Sequence, residues 1–199
     1  MKVTEVLERR HTAILIALLA IITSAVAYST IDALYRAALL EERARLVEMA
    51  RSQARLIEAI ARHEYEAVGD LSRATAVTVQ QVAAAHSQYE TVGRTGEFAL
   101  AEREGDQILF LVSQSSQAAT GVPAKIPIDS DLAEPMRRAL RGESGTVIAL
   151  DYRGRTVLAA YEPVGVLDLG IVAKIDISEV EAPFRRAGLV TNYAGVKGE

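Results

Sequence analysis

The sequence predicts an α+β chain: an N-terminal membrane-spanning helix, a long amphipathic helix, then an antiparallel sheet of about five strands with one inserted helix. Three observations predict it. Residues 12–31, TAILIALLAIITSAVAYSTI, are twenty consecutive uncharged residues. All 13 Gly and all 5 Pro lie beyond position 68, so nothing in the first third interrupts a helix. Beyond Gly96 the apolar spacing changes from the helical period to the alternation of strands.

Composition narrows the function classes. A chain of 199 residues holds one ordinary domain and an appendage, which excludes a multidomain enzyme. Half the residues are hydrophobic although 24% are charged, so the apolar content is concentrated rather than spread. The net charge of −4 comes with no long single-sign run, aromatics are 5% and Trp is absent, which argues against nucleic acid as a partner. With no Cys, disulfides, thiolate metal sites and cysteine nucleophiles are excluded.

At 1.5 Å per residue, the run 12–31 matches the ~30 Å hydrocarbon core of a bilayer. Two readings fit it. One is a cleaved secretory signal, with Lys2, Arg9 and Arg10 as its positive start and Ala25-Val26-Ala27 as a small-x-small cleavage pattern. The other is an uncleaved anchor, favoured by the full spanning length and by its passage into a further helix without Gly or Pro. Three basic against two acidic residues in the first eleven place residues 1–11 in the cytoplasm and residue 32 onward outside.

The helical region then covers residues 32–92, with a break at Gly69-Asp70. Leu39, Leu46, Ala50, Ile57 and Ile60 recur near heptad spacing, interrupted by Arg43 and Gln53, as for a helix that lies along a domain and along its twin in a homodimer. After the break, 71–92 resumes a helical pattern with Val79, Val82, Ala83 and Tyr89 for burial. Strands are expected at 97–104 and 107–114 around the hairpin turn Glu104-Gly105-Asp106, followed by a polar loop over 115–127. A helix over 131–141 has Ser130 or Asp131 as its cap, Glu134 in a capping box, and Leu132, Met136 and Leu140 inward with Arg137, Arg138 and Arg141 outward. Three more strands follow at 146–152, 155–164 and 169–176, the last two apolar on both alternate sets and so covered on both faces. One face then rests on the long helix, and the loop and short helix close the other over a small volume suited to a ligand.

This order resembles the extracytoplasmic Cache sensor domain, a PAS-like fold of bacterial histidine kinases, diguanylate and adenylate cyclases and chemoreceptors. The likeness is carried by Ser52-Gln53-Ala54-Arg55-Leu56-Ile57-Glu58-Ala59, Thr95-Gly96-Glu97-Phe98, Gly105-Asp106-Gln107-Ile108-Leu109-Phe110-Leu111, Leu140-Arg141-Gly142-Glu143-Ser144-Gly145-Thr146, Asp151-Tyr152-Arg153-Gly154, Ala160-Tyr161-Glu162-Pro163-Val164 and Gly170-Ile171-Val172-Ala173-Lys174-Ile175-Asp176. It implies a sensor sheet over 93–184, a small-molecule ligand and signalling across a bacterial inner membrane, with the sensor domain on the periplasmic side. The chain departs from the family pattern at Leu169, where relatives usually carry Trp, and at Gln114-Ser115-Ser116-Gln117, where they carry basic or His residues. The second departure leaves an anion or His-dependent contact from that loop unsupported. Such receptors continue from near Phe184 into a second span and an output module. Residues 185–199 carry charges at both ends and Gly188, Gly195 and Gly198, a tail unable to cross a bilayer, so the expectation is a truncated receptor's input module.

No catalytic constellation emerges, and the expectation is a non-enzyme without cofactor or metal. His63-Glu64-Tyr65-Glu66-Ala67 lacks the second His of a zinc helix, and Gly93-Arg94-Thr95-Gly96 is too short for a phosphate loop. Candidate ligand contacts are Tyr152 and Arg153 beside a hairpin tip, and Tyr161 and Lys174 on the strands covered on both faces. A buried Lys174 needs Asp176, another carboxylate or an anionic ligand. The alternatives are that Lys174 reaches out to solvent, that the Tyr residues are plain core, and that Asp151-Tyr152-Arg153-Gly154 is turn chemistry with Gly154 at positive φ. At the level of function, the alternative is a membrane-anchored helical scaffold that binds a protein partner and no small ligand.

Overall fold

The computed structural model describes residues 2–86, 95–113 and 125–186. The expected helix end to Val92 with Tyr89 and Gly93, the loop Gln114-Ser115-Ser116-Gln117 and most of the tail 185–199 lie outside the described residues. The chain divides into two compact units, residues 1–39 with 181–199 and residues 40–180.

In the first unit, helix α1 (Lys2–Val68) begins. Its apolar run is long and apolar enough to cross a membrane, with mean hydropathy 2.3 over 18 residues and none of that window buried in protein. Ile14, Leu15, Leu18, Leu19, Ile21, Ile22 and Val26 are 50–67% exposed. Two hydroxyls in the run bond within the helix: Thr23 donates to the carbonyls of Leu19 (2.9 Å) and Ala20 (3.0 Å), and Thr30 to that of Val26 (2.8 Å). Hydroxyls bonded to the preceding turn are compatible with a hydrocarbon surround. Within the same unit, Tyr35 meets the edge of Phe184 from helix α4 (Ile177–Arg186) at a centroid distance of 5.3 Å.

In the second unit, α1 buries Leu46, Ala50, Ala54, Ile57 and Ala61. Leu39 and Ile60 of the expected stripe are only half-buried, and Ala54 and Ala61 take their place. The buried spacing of four, four, three and four is that of a single helix face laid on a sheet, and small Ala side chains permit a close approach. The expected break is present. Gly69 takes φ +73° and its N–H bonds to the carbonyl of Tyr65, while the Asp70 carboxylate accepts the N–H groups of Ser72 (2.9 Å) and Arg73 (3.3 Å) to start α2 (Leu71–His86).

The sheet is antiparallel with six strands rather than about five: β1 (Glu97–Glu104), β2 (Gln107–Val112), β3 (Lys125–Pro127), β4 (Gly145–Leu150), β5 (Thr156–Val164) and β6 (Leu169–Asp176), in the order β3-β2-β1-β6-β5-β4. The additional strand is β3, inside the expected loop. Three residues are too few to display alternation, and Pro127 is tolerated because β3 is an edge. The expected spans of β1 and β6 match the observed ones, and Gly105 turns the first hairpin at φ +59°. β4 stops at Leu150 and β5 starts at Thr156, shorter than expected, because the Asp151 side chain folds 151–155 into a turn with Gly154 at φ +76°.

The inserted helix α3 spans Glu134–Ala139, and its start differs from the expected capping box. Its N-cap is Ala133 at φ 55°, without a side-chain bond. Ser130 Oγ instead accepts the N–H of Leu132 (3.1 Å), and Glu134 pairs with Arg138 (2.5 Å) rather than reaching back. The helix buries Ala133, Pro135, Met136 and Ala139, while Leu132 and Leu140 remain half-buried. Arg137 is half-buried rather than outward, because its guanidinium donates to the carbonyls of Ile128 (3.3 Å), Ser130 and Leu132 (3.2 Å). These carbonyls belong to an irregular segment without ladder partners of their own, and one cation satisfies three of them.

β6 is buried at every position, so the sheet has two covered faces as expected. On one, Ala54, Ile57, Ala61 and Val82 from α1 and α2 meet Leu100, Val112, Val164, Leu167, Leu169 and Ile171. On the other, Ala133, Met136 and Ala139 from α3 meet Ala99, Ala101, Val157, Ala159, Tyr161 and Val172. Gly170 sets that approach: a Cβ there would lie 2.8 Å from Met136 Sδ and 2.9 Å from Ala139 Cβ.

Candidate functional site

Because β1 and β6 pair at the middle of the sheet, Glu97 falls opposite Lys174, and Lys174 falls opposite Ala159 on β5. Alternation turns Glu97 and Lys174 to the α3 side, the face of Ala99, Val172 and Ala159. The turn after β4 delivers Asp151, Tyr152 and Arg153 to the same place.

Lys174 Nζ lies 3.0 Å from Glu97 Oε2 and donates to Asp151 Oδ2. Of the partners expected for it, another carboxylate is the one found, twice; Asp176 bonds instead to Arg155 (2.7 Å). Arg153 reaches the same two oxygens, with Nη2 2.9 Å from Glu97 Oε2 and Nε 3.2 Å from Asp151 Oδ2. Tyr152 donates its hydroxyl to Glu97 Oε1 (2.6 Å), and its ring lies 4.4 Å from Lys174 Nζ, 5.3 Å from the Arg153 guanidinium carbon and 4.7 Å from the Phe110 ring. The side chains of Lys174, Glu97 and Asp151 are each 2% exposed, and that of Arg153 is 28% exposed.

Two carboxylates and two cations give the cluster a formal charge of zero, the condition under which ions are stable out of water. Burial works against the charged form of Asp151 and is the largest single influence on it. The hydrogen bond and charge of Lys174, with the backbone N–H groups of Arg155 and Arg153, outweigh burial and hold this carboxyl below the usual carboxylate range. Burial likewise disfavours the Arg153 cation, but Glu97, Tyr152 and Asp151 together raise its pKa above the ordinary guanidinium value.

Three of the four expected site residues, Tyr152, Arg153 and Lys174, come together. Tyr161 does not join them. It is buried two positions along β5 from Ala159, with its hydroxyl 3.4 Å from Arg138 Nη1 and its ring 5.8 Å from that guanidinium. Lys174 does not reach out to solvent, and Gly154 has the positive φ of the turn reading. Sequence reasoning missed Glu97 as a site residue and took Asp151 for turn chemistry alone. The available signal was an acid at each end of an otherwise apolar run, Glu97 before Phe98-Ala99-Leu100-Ala101 and Asp151 after Val147-Ile148-Ala149-Leu150, when a lysine elsewhere stood inside an apolar strand.

Between the cluster and α3 lies a cavity of about 10 Å³, with Asp151, Tyr152 and Lys174 below and Ala133, Pro135 and Met136 above. Its place is the expected one and its size is not: that volume holds one water, because Met136 and Phe110 fill the space. Among the described residues, no group of three or more His, Asp and Glu is arranged to hold a metal ion. In comparisons with known proteins, the chain matches no family model and no curated protein.

Proposed function

We propose that the chain is the signal-input part of a membrane receptor: a PAS-like sensory domain of the Cache type, anchored by residues 12–31 in the bacterial inner membrane with residue 32 onward outside. In this reading it acts as a homodimer, without catalysis or cofactor of its own. A small ligand binds on the α3 side of the sheet, and its binding shifts α1 relative to the sheet. The observation that carries the reading is the buried cluster of Glu97, Asp151, Tyr152, Arg153 and Lys174 under a roof made by a six-residue helix. Apolar residues of similar volume usually stabilise a core as well or better, so a cluster of this kind is kept for something other than stability. Thr95 ties this end of the sheet to α4, since its N–H and hydroxyl bond to Glu179 (2.9 and 2.5 Å) and its oxygen accepts the N–H of Asp176 (3.1 Å).

The test is thermal unfolding of the full chain in lipid nanodiscs, followed by circular dichroism, against a panel of small acids, amines and neutral solutes. A ligand at a hundred times its Kd stabilises by about 2.7 kcal/mol, a readable rise in Tm. A panel without any rise counts against the reading. The scaffold alternative is favoured by one observation, the exposure of Leu56, Tyr65, Val68 and Leu71 around the end of α1 and the start of α2. Capture of a protein partner that is lost on changing Tyr65 and Leu71 to Ser, and unchanged by substitutions in the cluster, would establish it instead.

A further inference from the structure

The cluster contains its own candidate for displacement. Lys174 is fixed at mid-sheet and fully enclosed, but Arg153 stands on a turn and is the one charged member that reaches solvent. Both oxygens that Arg153 touches, Glu97 Oε2 and Asp151 Oδ2, are also touched by Lys174. Withdrawal of Arg153 therefore leaves Lys174 as the one cation of the cluster, with two negative charges against one positive. It also vacates one of the two cation positions beside the Tyr152 ring, 4.4 and 5.3 Å from its centroid. Carboxylates beside an aromatic ring are the chemistry that recognises an ammonium or guanidinium group.

The backbone does not have to move for this exchange. Asp151 divides its two oxygens: Oδ1 accepts the backbone N–H groups of Arg153 (2.8 Å) and Arg155 (2.9 Å), and Oδ2 faces the cations. The turn thus keeps its shape when the Arg153 side chain swings out. An anion finds no such opening, because both cations already contact both carboxylates, and a further negative charge would sit beside Glu97 and Asp151 unpaired.

We propose that the Arg153 guanidinium is a built-in substitute for a small organic cation, an alkylammonium or guanidinium, which the sensory site takes in its place between Glu97 and Asp151. This rests on the sensory reading above and specifies its ligand class. An internal competitor lowers the apparent affinity by the fraction of time it occupies the site.

The experiment is calorimetric titration of the full chain in nanodiscs with methylguanidinium, ethylammonium and propionate, comparing wild type with Arg153→Gln. The expected result is cation binding at least tenfold tighter in Arg153→Gln than in wild type, no binding of propionate to either, and loss of the cation site when Asp151→Asn is added. A folded Arg153→Gln protein that binds these cations no better than wild type overturns the proposal. Should that variant not fold, Arg153→Lys replaces it: lysine makes one contact where arginine makes two, so the cations must again bind more tightly than to wild type, and no gain overturns the proposal. Propionate bound at the cluster overturns the cation assignment and leaves the sensory reading standing. The chain has no Cys, so spin labels at Leu56→Cys and Glu104→Cys report the distance between α1 and the sheet. A cation that binds as expected without changing that distance supports the displacement and fails the sensory reading.

Discussion

The two faces of one sheet are built on different terms. Toward α1 and α2 the buried core is mainly aliphatic, Ala54, Ile57, Ala61 and Val82 against Leu100, Val164, Leu169 and Ile171, with polar contacts such as Glu58 to the Gly165 N–H at its margin. Toward α3 the same strands present Glu97 and Lys174 among Ala99, Ala159 and Val172. Burial of aliphatic surface is non-directional, so the first face depends on the area covered rather than on any one contact. The second depends on a few short polar contacts that are complete or broken. One side of the sheet is thus held by aliphatic burial and the other by paired charges out of water.

Substitutions can break that contrast. The largest effect is expected from Lys174→Met, which leaves Arg153, 28% exposed, as the one cation beside Glu97 and Asp151: about 3–5 kcal/mol of stability lost, read by urea unfolding of the full chain in detergent. A loss below about 1 kcal/mol would mean that the charges are not coupled as their distances require. On the aliphatic face, Ile171→Ala should cost about 3 kcal/mol through lost burial and a residual cavity. It should leave cation binding at the cluster unchanged.

Gly170→Ala should cost about 1–3 kcal/mol, since its Cβ would press on Met136 Sδ and Ala139 Cβ. Adding Met136→Ala should recover part of the loss in a double-mutant cycle, and full additivity would show that α3 is not seated there. The mildest test is acid. Asp151 has a lowered pKa in the folded chain, so its contribution is present above the unfolded carboxylate pKa of about 3.9 and disappears as pH falls through the lower folded value. Unfolding measured from pH 6 down to pH 2 should show that loss in wild type and a shallower one in Asp151→Asn.

Much of the fold was legible because it is local. Gly69 and Gly105 end a helix and turn a hairpin through their own φ angles, and the spans of β1 and β6 follow from short strand-like runs of eight residues bounded by turn signals. Where the reading failed, partners outside the segment decided the outcome. β3 is a strand because Ile126 pairs with Ile108, and ahead of α3 the segment stays irregular where Arg137 binds the carbonyls of Ile128 and Leu132, so the helix starts after Ala133.

The candidate site divides in the same way. That Lys174 would be buried and would need a counter-charge followed from the apolar strand around it, by the energetics of a single ion. Its actual partners, Asp151 from a turn 23 residues away and Glu97 from the opposite end of the sheet domain, depend on β1 and β6 meeting at the centre of the sheet. Periodicity tells a residue which face it occupies, since that is settled by its own backbone. Which charges share that face is settled by strand order and register, and these are properties of the assembled chain.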